Sequence, residues 1–164
     1  MGMSMGETDE LVRARINAAD DHYCFGCGRN NPYGLHLHFY RLDEDAIWAP
    51  FTPSREHEGY VGMIHGGIVT TVLDEVMAWS LYRHNIWAVT ARMSVSFKKP
   101  VEVGMPTRAI GRVVNDRGRL IEVAGEIRRV EDDLLLAEAA ATFARVPESQ
   151  AVAWRERYTL PADS

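Results

Sequence analysis

The segment Met63-Ile64-His65-Gly66-Gly67-Ile68-Val69-Thr70-Thr71-Val72-Leu73-Asp74-Glu75 breaks the rules of an ordinary helix. Two glycines open it, although glycine costs about 1 kcal/mol relative to alanine in a helix interior. At a first turn the backbone N–H groups have no intrahelical partner, and without a Cβ another group can approach them closely. Such a turn suits an anion or a developing oxyanion. The plainer alternative is that Gly66 and Gly67 only allow tight packing against a sheet. The second anomaly is Asp74, in the middle of an apolar helix. At 3.6 residues per turn, Gly67, Thr70, Thr71, Asp74 and Ala78 share one small, polar stripe opposite the apolar set, which predicts a lined cleft or a helix-to-helix contact. Glu75 falls at the stripe's edge and reads as a solvated or salt-bridged residue.

A carboxylate beside oxyanion donors points to acyl transfer, with Asp74 attacking a carbonyl or deprotonating water. Asp74 lies eight residues beyond Gly66, about 12 Å along the axis, so one chain cannot bring both to the same carbonyl carbon. An antiparallel two-fold pair of helices can, giving two equivalent composite sites and predicting an obligate dimer.

The elements that hold these residues follow from periodicity. Residues 66–83 carry Ile68, Val69, Val72, Leu73, Val76 and Met77 at helical spacing and form a central helix. Strands are predicted at 35–40 and 45–51, joined by a turn at Asp43-Glu44, and then at 88–99, 106–114, 119–130 and 134–145, divided by Gly, Pro and Asp turns. In the first of these later strands, Val89, Ala91, Met93, Val95 and Phe97 alternate with polar residues, giving one apolar face. Residues 7–19 read as a helix capped by Thr8, and the tail after Pro147, with Trp154 and Tyr158, as a short helix. The economical arrangement is α+β: a curved antiparallel sheet wrapped around one long central helix. We divide the chain into an N-terminal helical arm (1–23), the main domain (24–146) and a C-terminal extension (147–164).

The chain has 164 residues, 46% hydrophobic and 25% charged, with a net charge of -5. A single folded domain is the default at this size. The acidic balance argues against nucleic acid as a partner. Asp74 and Glu75 interrupt the most apolar run, so no membrane span is expected. The N-terminus lacks a basic start followed by an apolar core, and Gly2 lacks the Ser or Thr at residue 6 that myristoylation requires, so a cytoplasmic location is expected.

With these residues in view, the chain resembles the hotdog-fold acyl-CoA thioesterases of the phenylacetate-pathway and hydroxybenzoyl-CoA branch, which carry an HGG-x6-D signature. His65-Gly66-Gly67 followed by Asp74 matches that spacing, and the run from Thr90 to Gly104 resembles the strand and turn after the helix. The opening Cys24-Phe25-Gly26-Cys27-Gly28, continuing to Leu35, resembles a subgroup of thioesterase-like proteins. The likeness runs through roughly residues 24–145. It implies that Gly66 polarises the thioester carbonyl, that Asp74 of the facing chain is the catalytic carboxylate, that His65 shapes the turn or contacts the acyl end, and that Thr90 assists the water or carboxylate. Simple alternation puts Thr90 on the polar sheet face, so a bulge or an interface position would be needed to bring it in. Gly67, Thr70, Gly59, Arg92, Lys98 and Lys99 are the substrate-binding candidates, the three cations facing the anionic CoA tail. Relatives place Asn where this chain has Gly59, leaving Glu56, His57 or Glu58 to fill the gap.

The implied reaction is hydrolysis of an acyl-CoA to the free acid and CoA by a homodimer or dimer of dimers, with no cofactor and no metal. A thiol leaving group with a pKa near ~8.5 needs no strong general acid. The alternatives are a non-catalytic acyl-CoA or fatty-acyl binding module, or a hotdog hydratase or dehydratase. Cys24 and Cys27, with His22, His36 and His38 nearby, invite a zinc or redox reading. Lacking a second ligand pair at a recognisable spacing, they read first as loop packing. Gly26-x-Gly28 has Asn31 where a dinucleotide fingerprint needs its third glycine, and there is no G-x-S-x-G, H-E-x-x-H or P-loop.

Overall fold

The computed structural model describes residues 15–159. Six antiparallel strands form one sheet in the order β1-β2-β4-β5-β6-β3. They are β1 (Tyr40–Arg41), β2 (Ala46–Phe51), β3 (Ala88–Phe97), β4 (Thr107–Asp116), β5 (Leu120–Arg129) and β6 (Leu135–Arg145). The long helix α1 (Gly66–Tyr82) lies on one face of the sheet, and α2 (Glu148–Tyr158) ends the described chain. Val69, Val72, Leu73, Val76, Met77 and Leu81 of α1 are buried, as the 3.6-residue period requires. The fold class is therefore the α+β layer expected from the sequence.

What lets α1 lie so low on the sheet is the size of the residues beneath it. Ala109, Gly111, Gly125, Ala137, Ala139 and Ala141 occupy buried positions of β4, β5 and β6. Gly111 and Gly125 face each other across the β4–β5 ladder. A Cβ on Gly111 would come within 2.3 Å of the Val76 carbonyl oxygen, and one on Gly125 within 2.9 Å of Met77 Cγ. Larger strand residues, Phe143, Ile121 and Ile127 among them, fill the space beside this trough.

Two expectations need correction. The predicted strand at 35–40 is strand only at its end: Leu35 and Leu37 donate their amides to Phe25 and Gly26 of the preceding loop, and His36 has φ 51 between them. The alternation was real, since Leu37 and Phe39 are buried, but the hydrogen bonds go to a loop. Of the predicted helix at 7–19, residues 7–14 lie outside the described residues and 15–19 are not helical. Arg15 bridges to Tyr40, and Ile16 donates to the Phe39 carbonyl. Asn17, 1% exposed, donates from its side chain to Leu37 O and accepts from the Phe39 amide. A buried amide side chain thus does the work of a strand partner, and at residues 15–19 this tertiary bond outweighs the helical spacing that included Ile16 and Ala19.

The apolar face predicted for residues 89–97 also breaks, because the β3–β6 register shifts between Thr90 and Arg92. On either side of that bulge, Thr90 pairs with Phe143 and Met93 with Ala141, and those two β6 partners are buried on the helix side. Among the described residues no helix is long and apolar enough to cross a membrane.

Gly111→Ala should lower stability by about 1–3 kcal/mol, because the atom it meets is backbone and cannot step aside. Gly125→Ala meets side-chain atoms alone, chiefly the flexible Met77 with Leu73 Cδ2 at 3.4 Å, and should cost less. Urea unfolding at unchanged m-value checks the order.

Candidate active site

The start of α1 is arranged around a single unused donor. His65 is the N-cap, and its Nδ1 accepts the Gly67 amide at 2.9 Å. The amides of Ile68 and Val69 go to the His65 carbonyl. That leaves the Gly66 N–H, which donates to no acceptor among the described residues and sits on an exposed glycine. Because His65 Nδ1 accepts, the ring proton is on Nε2. Gly59 packs on His65, where a Cβ would approach His65 Cα to 3.1 Å, and its own amide goes to Met63 O. Its place is therefore a wall beside the turn. None of the three residues proposed to fill its gap is a free donor there: Glu58 accepts from the Gly62 amide, the His57 ring accepts from the Ser54 amide, and Glu56 is exposed.

Two open cavities meet at Gly66. One, of about 390 Å³, is walled by Gly59, Tyr60, Met63 and His65. The other, of about 360 Å³, is walled by Phe97, Lys98, Lys99 and Pro100. Lys98 pairs with Glu138 at 3.4 Å, whereas Lys99 carries no ion pair among the described residues. Thr70 and Thr71 turn their hydroxyls back to Gly66 O and Gly67 O, at 2.8 and 2.9 Å. They keep the stripe narrow and offer only acceptor lone pairs to a ligand.

Two turns further along α1, Asp74 Oδ1 accepts a 2.7 Å hydrogen bond from Thr90 Oγ1. The bulge in β3 makes this possible by turning Thr90 toward the helix. The other Asp74 oxygen has no hydrogen-bond donor among the described residues, so one lone-pair face is held and the other is open. Arg92, across the bulge, goes the opposite way: it lines a groove with Ser94, Glu122 and Thr142 on the sheet face away from α1. The structure thus gathers His65, Gly66, Gly59, Lys98 and Lys99 at one end of the helix, Asp74 and Thr90 at its middle, and leaves Arg92 apart.

Glu75 is the residue whose surroundings the sequence misread. It turns away from the stripe and toward the N-terminal loop, with Cys24 Sγ 3.4 Å from its Oε1. Burial pushes its carboxyl up to about 8, reinforced by the charge on Cys24. The hydrogen bond from Cys27 draws the Cys24 thiol down to about 5, and the same bond, with burial, raises Cys27. The only sequence signal was that Asp74 and Glu75 are adjacent, so a helix must send them to different faces.

Residues 61–136 match the family model described as the Thioesterase superfamily. A solved thioesterase superfamily protein superposes with a TM-score of 0.71 at 21% identity, over 85% of this chain and 72% of that one. The fold is the hotdog fold. A second solved structure, from Streptococcus mutans UA159 and bound to acetyl CoA, gives a TM-score of 0.63 at 19% identity, over 67% of this chain and 88% of that one. Among curated proteins, the acyl-coenzyme A thioesterase THEM4 of Xenopus laevis is 28% identical over 108 residues, 66% of this chain and 49% of its own length. The chain therefore spans about half the length of the curated relatives it matches.

Thr90→Val removes the bond to Asp74 with little change in shape. A hydrogen bond to a charged group is worth about 1.5–3 kcal/mol, so whatever turnover Asp74 supports should fall by roughly ten- to a hundredfold, and Thr90→Ser should restore it. Steady-state rates of the three proteins check this.

Proposed function

We propose that this protein hydrolyses acyl-CoA thioesters to the free acid and CoA, at sites shared between two copies of the chain. The observation that carries the reading is the pairing of an unused Gly66 amide at the first turn of α1 with a Thr90-held Asp74 carboxylate on its small polar stripe. The names of the THEM4 relatives and the acetyl CoA in the Streptococcus mutans structure support the same substrate class.

The two groups sit about 12 Å apart on one helix, so the reacting carbonyl is bracketed only when a second α1 runs antiparallel to the first. β3 supports that arrangement. It is a ten-residue edge strand with no partner on its outer side among the described residues, and Val89 and Phe97 on it are 48% and 57% exposed. A long free edge with apolar side chains is a template for pairing with another chain. Two such edges joined across a two-fold axis lay one small-residue stripe against the other.

In the composite site the thioester oxygen accepts from the Gly66 N–H at the positive end of the helix, which stabilises the charge that develops as the carbonyl is attacked. Asp74 of the partner subunit, oriented by Thr90, either adds to the carbonyl carbon or takes a proton from the water that does. The C–S bond then breaks and CoA leaves as a thiolate; where Asp74 itself adds, the product is a mixed anhydride, which water hydrolyses to release the acid and regenerate the carboxylate. The thiolate's low basicity relative to an alkoxide is why no strong acid need stand beside it. Lys99 has the free charge to meet a phosphate of the CoA tail, with Lys98 partly neutralised by Glu138.

Asp74→Asn and Asp74→Ala should each reduce thiol release from a panel of short, long and aromatic acyl-CoAs by about 10²–10⁴-fold. Parent-like rates in both variants would overturn the mechanism. Sedimentation should give a dimer or a dimer of dimers, and an active monomer would rule out the shared site.

A further inference from the structure

Cys24 and Cys27 stand at the two ends of a tight turn closed by a 2.8 Å bond from the Gly28 amide to the Cys24 carbonyl. Cys24 is half-buried and Cys27 is 4% exposed. The turn presses on α1 at Glu75. The two sulfurs and a carboxylate oxygen of Glu75 all lie within 4.8 Å of one another. Gly26, between the cysteines, is the reason they can: a Cβ there would fall 2.4 Å from Glu75 Cδ. The loop is thus wrapped directly on the carboxylate.

No Arg, Lys or backbone amide hydrogen-bonds to Glu75 among the described residues; its hydrogen-bonding neighbours are the two thiols. Three acidic groups converge in a sheltered place with no cation supplied by the protein. Burying a carboxylate without a countercharge is costly. We propose that Cys24, Cys27 and Glu75 bind a zinc ion, with the fourth position open.

The spacing suits that ion. With Zn–S of about 2.3 Å and Zn–O of about 2.1 Å, a tetrahedral site places sulfur and oxygen ligands about 3.6 Å apart. Cys24 Sγ and Glu75 Oε1 are 3.4 Å apart. The two-residue gap between the cysteines is a standard zinc-ligand spacing, and two thiolates favour a borderline-soft metal over calcium or magnesium. His22 is not the fourth ligand. Its Nδ1 accepts the Cys24 amide at 3.3 Å, which leaves the proton on Nε2 and no free lone pair on the ring. The cluster instead borders a cavity of about 350 Å³ beneath Trp79, Trp87, Trp154 and Tyr158, from which water or a ligand atom can fill the site. The ion ties the N-terminal loop to the helix one residue after Asp74.

Zinc content and cobalt spectra test this without reference to turnover. The full chain, purified reduced and without a polyhistidine tag, should carry one zinc per chain by elemental analysis. After chelation and titration with Co²⁺ it should show a thiolate-to-cobalt charge-transfer band with tetrahedral d–d bands. Cys24→Ser and Cys27→Ser should each weaken the charge-transfer band. Glu75→Gln should retain it while losing more affinity than the roughly 10–100-fold typical of an outer-shell partner. Asp74→Asn should bind zinc like the parent, which separates this inference from the hydrolytic one. Parent protein that holds no zinc and gives no cobalt band overturns the proposal whatever the variants do. A metal-free chain lighter by two hydrogens under non-reducing conditions overturns it in favour of a dithiol–disulfide pair.

Discussion

The position of every functional group in this molecule depends on how closely α1 approaches the sheet. Helices usually stand off a sheet by the length of intervening side chains. Here the row Ala109, Gly111, Gly125, Ala139 removes that padding, and the Val76 carbonyl comes to rest over the α-carbon of Gly111. The consequence reaches the chemistry because β3 is in the same sheet. Thr90 has a short side chain and Asp74 has another. Their 2.7 Å hydrogen bond exists only if helix and edge strand are held within that reach. Raising the helix by one methyl group's thickness would stretch this contact before it disturbed the apolar packing, which can adjust through Met77.

The same closeness explains how polarity is distributed around α1. Its sheet-facing side is apolar and accepts no charge. Apart from Ser80, whose buried hydroxyl donates to Met77 O, and Tyr82 in the last turn, the polar groups lie on the stripe of Gly67, Thr70, Thr71 and Asp74 and on the flank where Glu75 meets the cysteine loop. On the stripe, the hydroxyls of Thr70 and Thr71 are turned inward to the helix backbone, and His65 occupies the Gly67 amide. What remains unpaired is one amide at the first turn and one carboxylate oxygen two turns on. An exposed helix surface with this much internal satisfaction presents little that water alone must solvate, and the two groups left over are a donor and an acceptor of the kinds that acyl chemistry uses.

The legible part of the fold was the part where side-chain period and hydrogen-bond partner agree. The helix from Gly66 and the four long strands show this, since their apolar residues recur with the repeat of the element that forms. Residues 35–40 and 15–19 were misread because period reports only which side chains face inward. Leu35 and Leu37 alternate like strand residues while bonding to a loop, and Asn17 joins Leu37 and Phe39 with a side-chain amide whose partner lies 20 residues away. In the site, Gly66 and Asp74 were visible because each violates the preference of its surroundings. Thr90 was visible only through family likeness: its orientation rests on a register shift against β6, a property of two strands and not of one.

Glu75 shows the same limit from the other direction. Nothing within its own helix distinguishes it from a solvated glutamate, and the acidic residues nearest Cys24 in sequence, Asp20 and Asp21, pair with Arg15, Arg29 and Arg157 instead. The cluster arises from a contact 51 residues apart along the chain, made possible by Gly26. Adjacent residues of α1 are thereby fixed on opposite flanks, Asp74 to the edge strand and Glu75 to the loop. Successive side chains on a helix diverge by about 100°, so these two tethers resist rotation of α1 about its axis in both senses. A rotation that released Asp74 from Thr90 would have to drive Glu75 into Gly26 or away from both sulfurs. The loop is therefore part of what aims the carboxylate, although among the described residues none of its groups hydrogen-bonds to Asp74.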